Sequence, residues 1–168
     1  DISLVIIHFT ETKTLDEALN LLTSSDRKVS SHYLIDKNGD IFNLVGIDKR
    51  AWHAGESMWD NYDDINSRSI GIEIVNSGEV IKEDYTPKQI NSLSDLLLGL
   101  LKDFNIENIL GHSDIAPTRK IDPGVHFPWQ KIYQNLGLEW VKERINNERI
   151  KKSDYLIFLK RLKEFGYP

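Results

Sequence analysis

A chain of 168 residues, 40% of them hydrophobic, is long enough for one domain with a full core and room for an appendage. Its net charge of −5 argues against a nucleic-acid partner, and no apolar run approaches the length of a membrane span. With no cysteine, disulfides, thiolate ligands and cysteine nucleophiles are excluded, so any metal site must use His, Asp and Glu, a donor set that suits a hydrolytic zinc.

The chain starts at Asp1 and enters an apolar run at Ile2, so its natural beginning is expected to have been removed. Ile2 to Ile7 is β-branched and apolar, the pattern of a strand buried on both faces. It delivers His8 at its carboxyl end, on the face of Leu4 and Ile6, where a core histidine and a ligand both fit. Thr14-Leu-Asp-Glu17 reads as a capping box, opening a helix with Leu15, Ala18, Leu19 and Leu22 on one face and an end near Thr23. Ser30–Asp36 and Asp40–Val45 flank Lys37-Asn38-Gly39, which predicts a hairpin whose turn draws its positive φ from Asn38-Gly39. His32 falls in the first of these strands, either as support for a site or as a satisfied structural histidine. The long loop from Arg50 to Asn66 carries Trp52 and His53, which fit a cleft wall and an aromatic anchor equally.

Ser69–Val75 is the next strand, apolar at positions 70, 72, 74 and 75, with Gly71 and Glu73 interrupting it. A carboxylate there either faces solvent or occupies a site that raises its pKa. Thr86-Pro-Lys-Gln89 is a second capping box and starts the longest helix, whose apolar face is Ile90, Leu93, Leu97, Leu100, Leu101 and Phe104. Asn108–Leu110 is a short strand that ends at Gly111 and presents His112. From there to Trp129 the chain is punctuated by Pro117, Pro123 and Gly124, so an ordered loop carries His112, Lys120 and Asp122. One more ligand would make this a three-ligand zinc site with an open position. Further helices are expected from Trp129 to about Leu136, around Trp140 to Asn147, and after a capping Ser153 to Phe165, with Gly137 and Gly166 as stops.

Taken together, Val5-Ile-Ile-His-Phe-Thr10, Val29-Ser-Ser-His-Tyr-Leu34, Ala51-Trp-His-Ala-Gly55, Ser69-Ile-Gly-Ile-Glu73 and Gly111-His-Ser-Asp-Ile-Ala-Pro through Arg119-Lys-Ile-Asp-Pro-Gly124 resemble, in order, the zinc-dependent N-acetylmuramoyl-L-alanine amidases of the AmpD/AmiD type. The resemblance spans residues 2 to 135. It implies an α/β fold in which helices flank a central mixed β-sheet, the amidase and peptidoglycan-recognition-protein fold. It further implies one zinc ion on His8, His112 and Asp122, with Glu73 as general base and then acid, and Lys120 stabilising the oxyanion. Phe9, Lys28, Trp52, His53 and Arg119 match positions that line the family's substrate cleft, Lys28 standing where some relatives have arginine. His126, four residues after Asp122, is the one rival ligand, or else a surface histidine.

The implied reaction cleaves the amide between N-acetylmuramic acid, in its intact or 1,6-anhydro form, and the L-alanine of the stem peptide of peptidoglycan or a released muropeptide. The alternative is a non-catalytic peptidoglycan-recognition module. Residues 1–150 would be the catalytic domain. Residues 151–168 would be a C-terminal helix, either packed on the core or opening a truncated peptidoglycan-binding-like domain. A periplasmic, wall-facing location is expected, with a cytoplasmic recycling enzyme as the alternative, and oligomeric state leaves no mark in the sequence.

Overall fold

The computed structural model describes residues 1–139 and 152–167; the helix expected from Trp140 to Asn147 and the division near residue 150 lie outside the described residues. Five strands, β1 (Leu4–Phe9), β2 (Tyr33–Ile35), β3 (Ile41–Asn43), β4 (Ser69–Ile74) and β5 (Asn108–Gly111), form one mixed sheet in the order β3-β2-β4-β1-β5. β1 runs parallel to β4 and β5, and β2 parallel to β4; only β2 and β3 pair antiparallel.

Apart from His8, β1 is apolar because both of its faces are covered. Val5 and Ile7 join Ile70, Ile72 and Ile74 of β4 in a core closed by Ile90, Leu93, Leu97 and Leu100 of α2 (Pro87–Asp103) and by Ile132. Leu4 and Ile6 point the other way, into a cluster with Ala54, Trp59, Ile65, Leu110 and Ile115. α1 (Leu15–Thr23) contributes Ala18 and Leu22 to a third cluster with Leu34 and Val75. Because β1 and β4 are parallel and in register, Leu4, Ile6 and His8 lie beside Ser69, Gly71 and Glu73. This second face of the two strands therefore carries every polar group they bring to the site.

Both capping boxes form. Glu17 N donates to Thr14 Oγ1 at 3.3 Å, and Gln89 N donates to Thr86 Oγ1 at 3.1 Å, with Pro87 in the first turn of α2. The hairpin is shorter than its sequence pattern: β2 and β3 keep three residues each, and His32 falls just ahead of β2. Its turn takes a positive φ at Gly39 alone, while the Asn38 side chain accepts from Asp40 N at 2.9 Å. The long loop also holds a 3-10 turn at Ile65–Ser67, and the segment after β5 begins as the short helix α3 (His112–Ile115).

α4 (Trp129–Asn135) stops before Gly137, whose φ is +70°. α5 spans Lys152–Glu164, so Ser153 lies inside that helix. Its end is fastened to the body of the fold by Asp60 N, which donates to Gly166 O at 2.7 Å, and by Tyr167, whose ring meets Trp59 edge-on and whose hydroxyl donates to Asp114 Oδ1 at 2.7 Å. Among the described residues no helix is long and apolar enough to cross a membrane.

Candidate active site

The carboxyl ends of β1, β4 and β5 lie at one edge of the sheet, because those strands are parallel, and the site collects there. β1 delivers His8, β4 delivers Glu73, and β5 runs straight into His112 at the first position of α3. The loop after α3 returns Asp122, whose carbonyl accepts from Ser113 N at 2.9 Å. Tyr85 pins the next residue by donating its hydroxyl to Pro123 O at 2.8 Å.

His8 Nδ1, His112 Nδ1 and Asp122 Oδ2 stand within 2.9–3.0 Å of one another, all buried. The far side of the His112 ring settles its polarity. Its Nε2 lies 2.9 Å from Ala54 O, which can only accept, so Nε2 carries a hydrogen and Nδ1 is the atom turned inward. Burial, opposed by Asp122, pushes His8 down to about 4, so it is neutral near pH 7. Burial alone would raise Asp122, but the contacts of its Oδ2 with His112 and His8 hold it well below the usual carboxylate range. Two imidazoles and a carboxylate converging on one point form a donor set that could hold a divalent metal ion.

Glu73 sits beside His8 in the strand register. Burial first, and the Asp122 charge second, raise its pKa well above the ordinary value, with Lys120 opposing them. Its Oε2 is out of solvent and has no hydrogen-bond partner among the described residues. A buried carboxyl left unbonded is costly and marks a group kept ready for another partner.

Above these residues lies a cavity lined by His8, Glu73, His112, Lys120 and Asp122, with Phe9, Trp52, His53 and Arg119 also on its wall. The lining stops at Val29, so Lys28, with φ +53°, falls one residue outside it. Trp52 is 55% exposed and carries the Arg50 guanidinium 4.2 Å above its ring, a solvent-facing aromatic wall. Arg119 is committed to the protein as well as to the cavity, since Nη2 donates to Ala54 O at 2.9 Å and to Glu56 O at 2.5 Å. His53 is buried behind His8, its Nδ1 3.0 Å from His8 Nε2.

Two other histidines stand apart from the ligand group. His32 is a satisfied structural residue: its Nε2 donates to Lys49 O at 3.0 Å, and its Nδ1 accepts from Gly71 N at 3.0 Å. His126 is exposed, with Nδ1 3.6 Å from Asp84 Oδ1.

Sequence reasoning did not reach Ser69, Asn66 or Tyr85, whose roles depend on long-range neighbours. Gly71 did carry a signal, because a glycine inside a buried strand marks a close approach. A Cβ there would lie 2.4 Å from His53 Cγ.

Residues 1–125 match the family model described as N-acetylmuramoyl-L-alanine amidase, Amidase_2. The chain belongs to this family. Among curated Amidase_2 relatives, N-acetylmuramoyl-L-alanine amidase AmiD of Escherichia coli (strain K12) is 37% identical over 161 residues, 86% of this chain and 57% of its own length. The 1,6-anhydro-N-acetylmuramyl-L-alanine amidase AmpD of Haemophilus influenzae is 40% identical over 112 residues, 65% of this chain and 59% of its own. The chain thus spans less than two thirds of the length of both.

The solved complex of E. coli AmiD with the substrate anhydro-N-acetylmuramic acid-L-Ala-D-gamma-Glu-L-Lys superposes with a TM-score of 0.86 at 32% identity, covering 99% of this chain and 72% of that one. AmpDh3 of Pseudomonas aeruginosa in complex with anhydromuramic pentapeptide gives 0.82 at 31% identity, with 99% and 74% covered. The mixed sheet with flanking helices is the fold of these amidases.

Proposed function

We propose that this chain is a zinc-dependent hydrolase of the amide between the lactyl group of N-acetylmuramic acid and the L-alanine of the peptidoglycan stem peptide. The observation that carries the reading is the meeting of His8, His112 and Asp122 around one point, with the unbonded carboxyl of Glu73 in the same cavity. The names of the curated relatives support the bond, and the anhydro-muramyl peptides bound to two solved relatives extend the reading to the 1,6-anhydro form.

In this reading His8, His112 and Asp122 hold one zinc ion, a choice supported by the absence of thiolates and by the nitrogen and carboxylate donors. When bound, zinc supplies a Lewis acid for the scissile carbonyl and lowers the pKa of water toward about 7. The chain's own residues do the rest. Glu73, whose pKa burial raises well above the ordinary carboxyl value, takes the proton of the attacking water and returns it to the departing L-alanine nitrogen. Lys120 lies close enough to act electrostatically on both Glu73 and His8, and its ammonium stabilises the negative charge that develops on the carbonyl oxygen. Trp52 and Phe9 offer apolar surface to the sugar and peptide, and Arg119 lends donors at the rim.

Mass spectrometry of purified muropeptides incubated with the protein tests the reading. Release of a stem peptide beginning with L-alanine, lost on chelation and restored by zinc, is expected. No cleavage by a zinc-loaded sample would overturn it in favour of a recognition module.

A further inference from the structure

Behind His8 runs a chain of hydrogen bonds that ends on the backbone. Ile65 O can only accept, so Ser69 Oγ, 2.7 Å away, donates to it. The Ser69 oxygen is then free to accept from His53 Nε2 at 3.2 Å. That places the His53 hydrogen on Nε2 and leaves its Nδ1 bare. His53 Nδ1 lies 3.0 Å from His8 Nε2 and accepts from it, which leaves His8 Nδ1 without a hydrogen. His8 Nδ1 is the atom that faces His112 and Asp122.

The neighbouring residue serves the second imidazole. Ala54 O accepts from His112 Nε2, and Asn66 Oδ1 pins both residues by accepting from His53 N and Ala54 N at 2.9 Å each. His53 can lie this close only because β4 has no side chain at Gly71, where a Cβ would meet His53 Cγ at 2.4 Å. The ring is thus held from the sheet side by Gly71, from behind by Ser69, and through its backbone by Asn66.

We propose that His53, oriented by Ser69, is a positioning residue that fixes the tautomer and aim of His8, its own part in the site being to hold a ligand rather than to grip substrate. The proposal rests on the reading of His8, His112 and Asp122 as metal ligands. Removing such an outer hydrogen-bond partner costs a histidine ligand both its orientation and part of its basicity, typically about 10–100-fold in metal affinity.

The test is zinc affinity of the full chain, measured by competition with a chelating dye, with folding of each variant checked by circular dichroism. His53→Leu, which fills the space without an acceptor, is expected to weaken zinc binding by about 10–100-fold. His53→Asn, whose Oδ1 stands where Nδ1 stood, is expected to recover most of that loss. Ser69→Ala is expected to move affinity in the same direction by a smaller step. It also covers the case in which His53→Leu fails to fold. In zinc-loaded, unsubstituted protein, long-range proton–nitrogen NMR is expected to show hydrogens on Nε2 of both His8 and His53.

Unchanged affinity in a folded His53→Leu would overturn the proposal, as would His53→Asn binding no better than His53→Leu, or a His8 ring without a hydrogen on Nε2. A His112→Ala control that binds zinc as tightly as the unsubstituted protein would instead sink the metal reading itself, so the two failures are distinguishable.

Discussion

Glu73→Gln separates chemistry from architecture, because it replaces a buried carboxyl with a neutral group of nearly the same shape. In the proposed role of taking and returning the proton, Glu73 should contribute about 10²–10⁴-fold to turnover, or about 2.7–5.4 kcal/mol of barrier. Zinc content should stay at one per chain, since Glu73 is outside the convergent His8, His112 and Asp122 group.

Stability should move the other way. The folded pKa of Glu73 is raised above its ordinary value of 4.5, chiefly by burial, whereas the unfolded chain releases the proton near that value. Between those two pKa values the folded state holds a proton the unfolded state has lost, so stability falls as pH rises across the window. Glutamine has no such proton to lose. The metal-free variant should therefore melt higher than the metal-free parent at pH 7, with the difference closing as the pH drops below 4.5. Muropeptide turnover followed by mass spectrometry and thermal melts at both pH values check the two halves. Turnover within about tenfold of the parent would remove Glu73 as the base, and a variant that melts lower at pH 7 would refute the cost assigned to its burial.

Three other substitutions probe separate parts of the site and fold. Asp122→Ala should lose stoichiometric zinc, read by elemental analysis after dialysis; retained metal would take Asp122 out of the ligand set. Lys120→Ala should lower kcat by about 10²–10³-fold with little change in KM, and a pure KM effect in steady-state kinetics would mean uniform binding in place of charge stabilisation. Burial would raise Glu83, but hydrogen bonds from Lys37 and Ser77 hold it below its ordinary 4.5, so its stabilising contribution is present above that value and is lost as pH falls. With both partners partly exposed, Glu83→Gln should cost under about 1 kcal/mol at pH 7 and nothing at pH 3, and melts with a pH-independent difference would contradict this.

The elements legible in the sequence were those whose cause is local. The Thr14 and Thr86 capping boxes, the doubly buried β1 and the stop at Gly137 depend on residues within a few positions of each other, and they stand where the pattern puts them. The alternation of Ile70, Ile72 and Ile74 likewise left Ser69, Gly71 and Glu73 to share the opposite face. What that face meets was not legible, because the loop that lays His53 over Gly71 is placed by Asn66, Ile65 and the cluster around Trp59. β2 and β3 shrank for a similar reason. Their apolar pattern continues past the point where pairing ends, and His32 spends its ring on Lys49 and Gly71 ahead of the first paired residue. Lys28 stands one residue beyond the cavity lining, in a turn with positive φ that no apolar pattern encodes.

The separation of the three converging side chains along the chain has a consequence for folding. His8 lies 104 residues from His112 and 114 from Asp122, with β4 and the whole of α2 between them. No local segment can assemble this donor set, so it exists only once the non-local parallel pairing of β1 with β4 and β5 is complete. Any ion bound there binds the native state alone and shifts the folding equilibrium by mass action. In a chain without cysteine, that makes the ion a reversible cross-link between distant parts of the sequence, and its withdrawal should loosen the fold as well as silence the site.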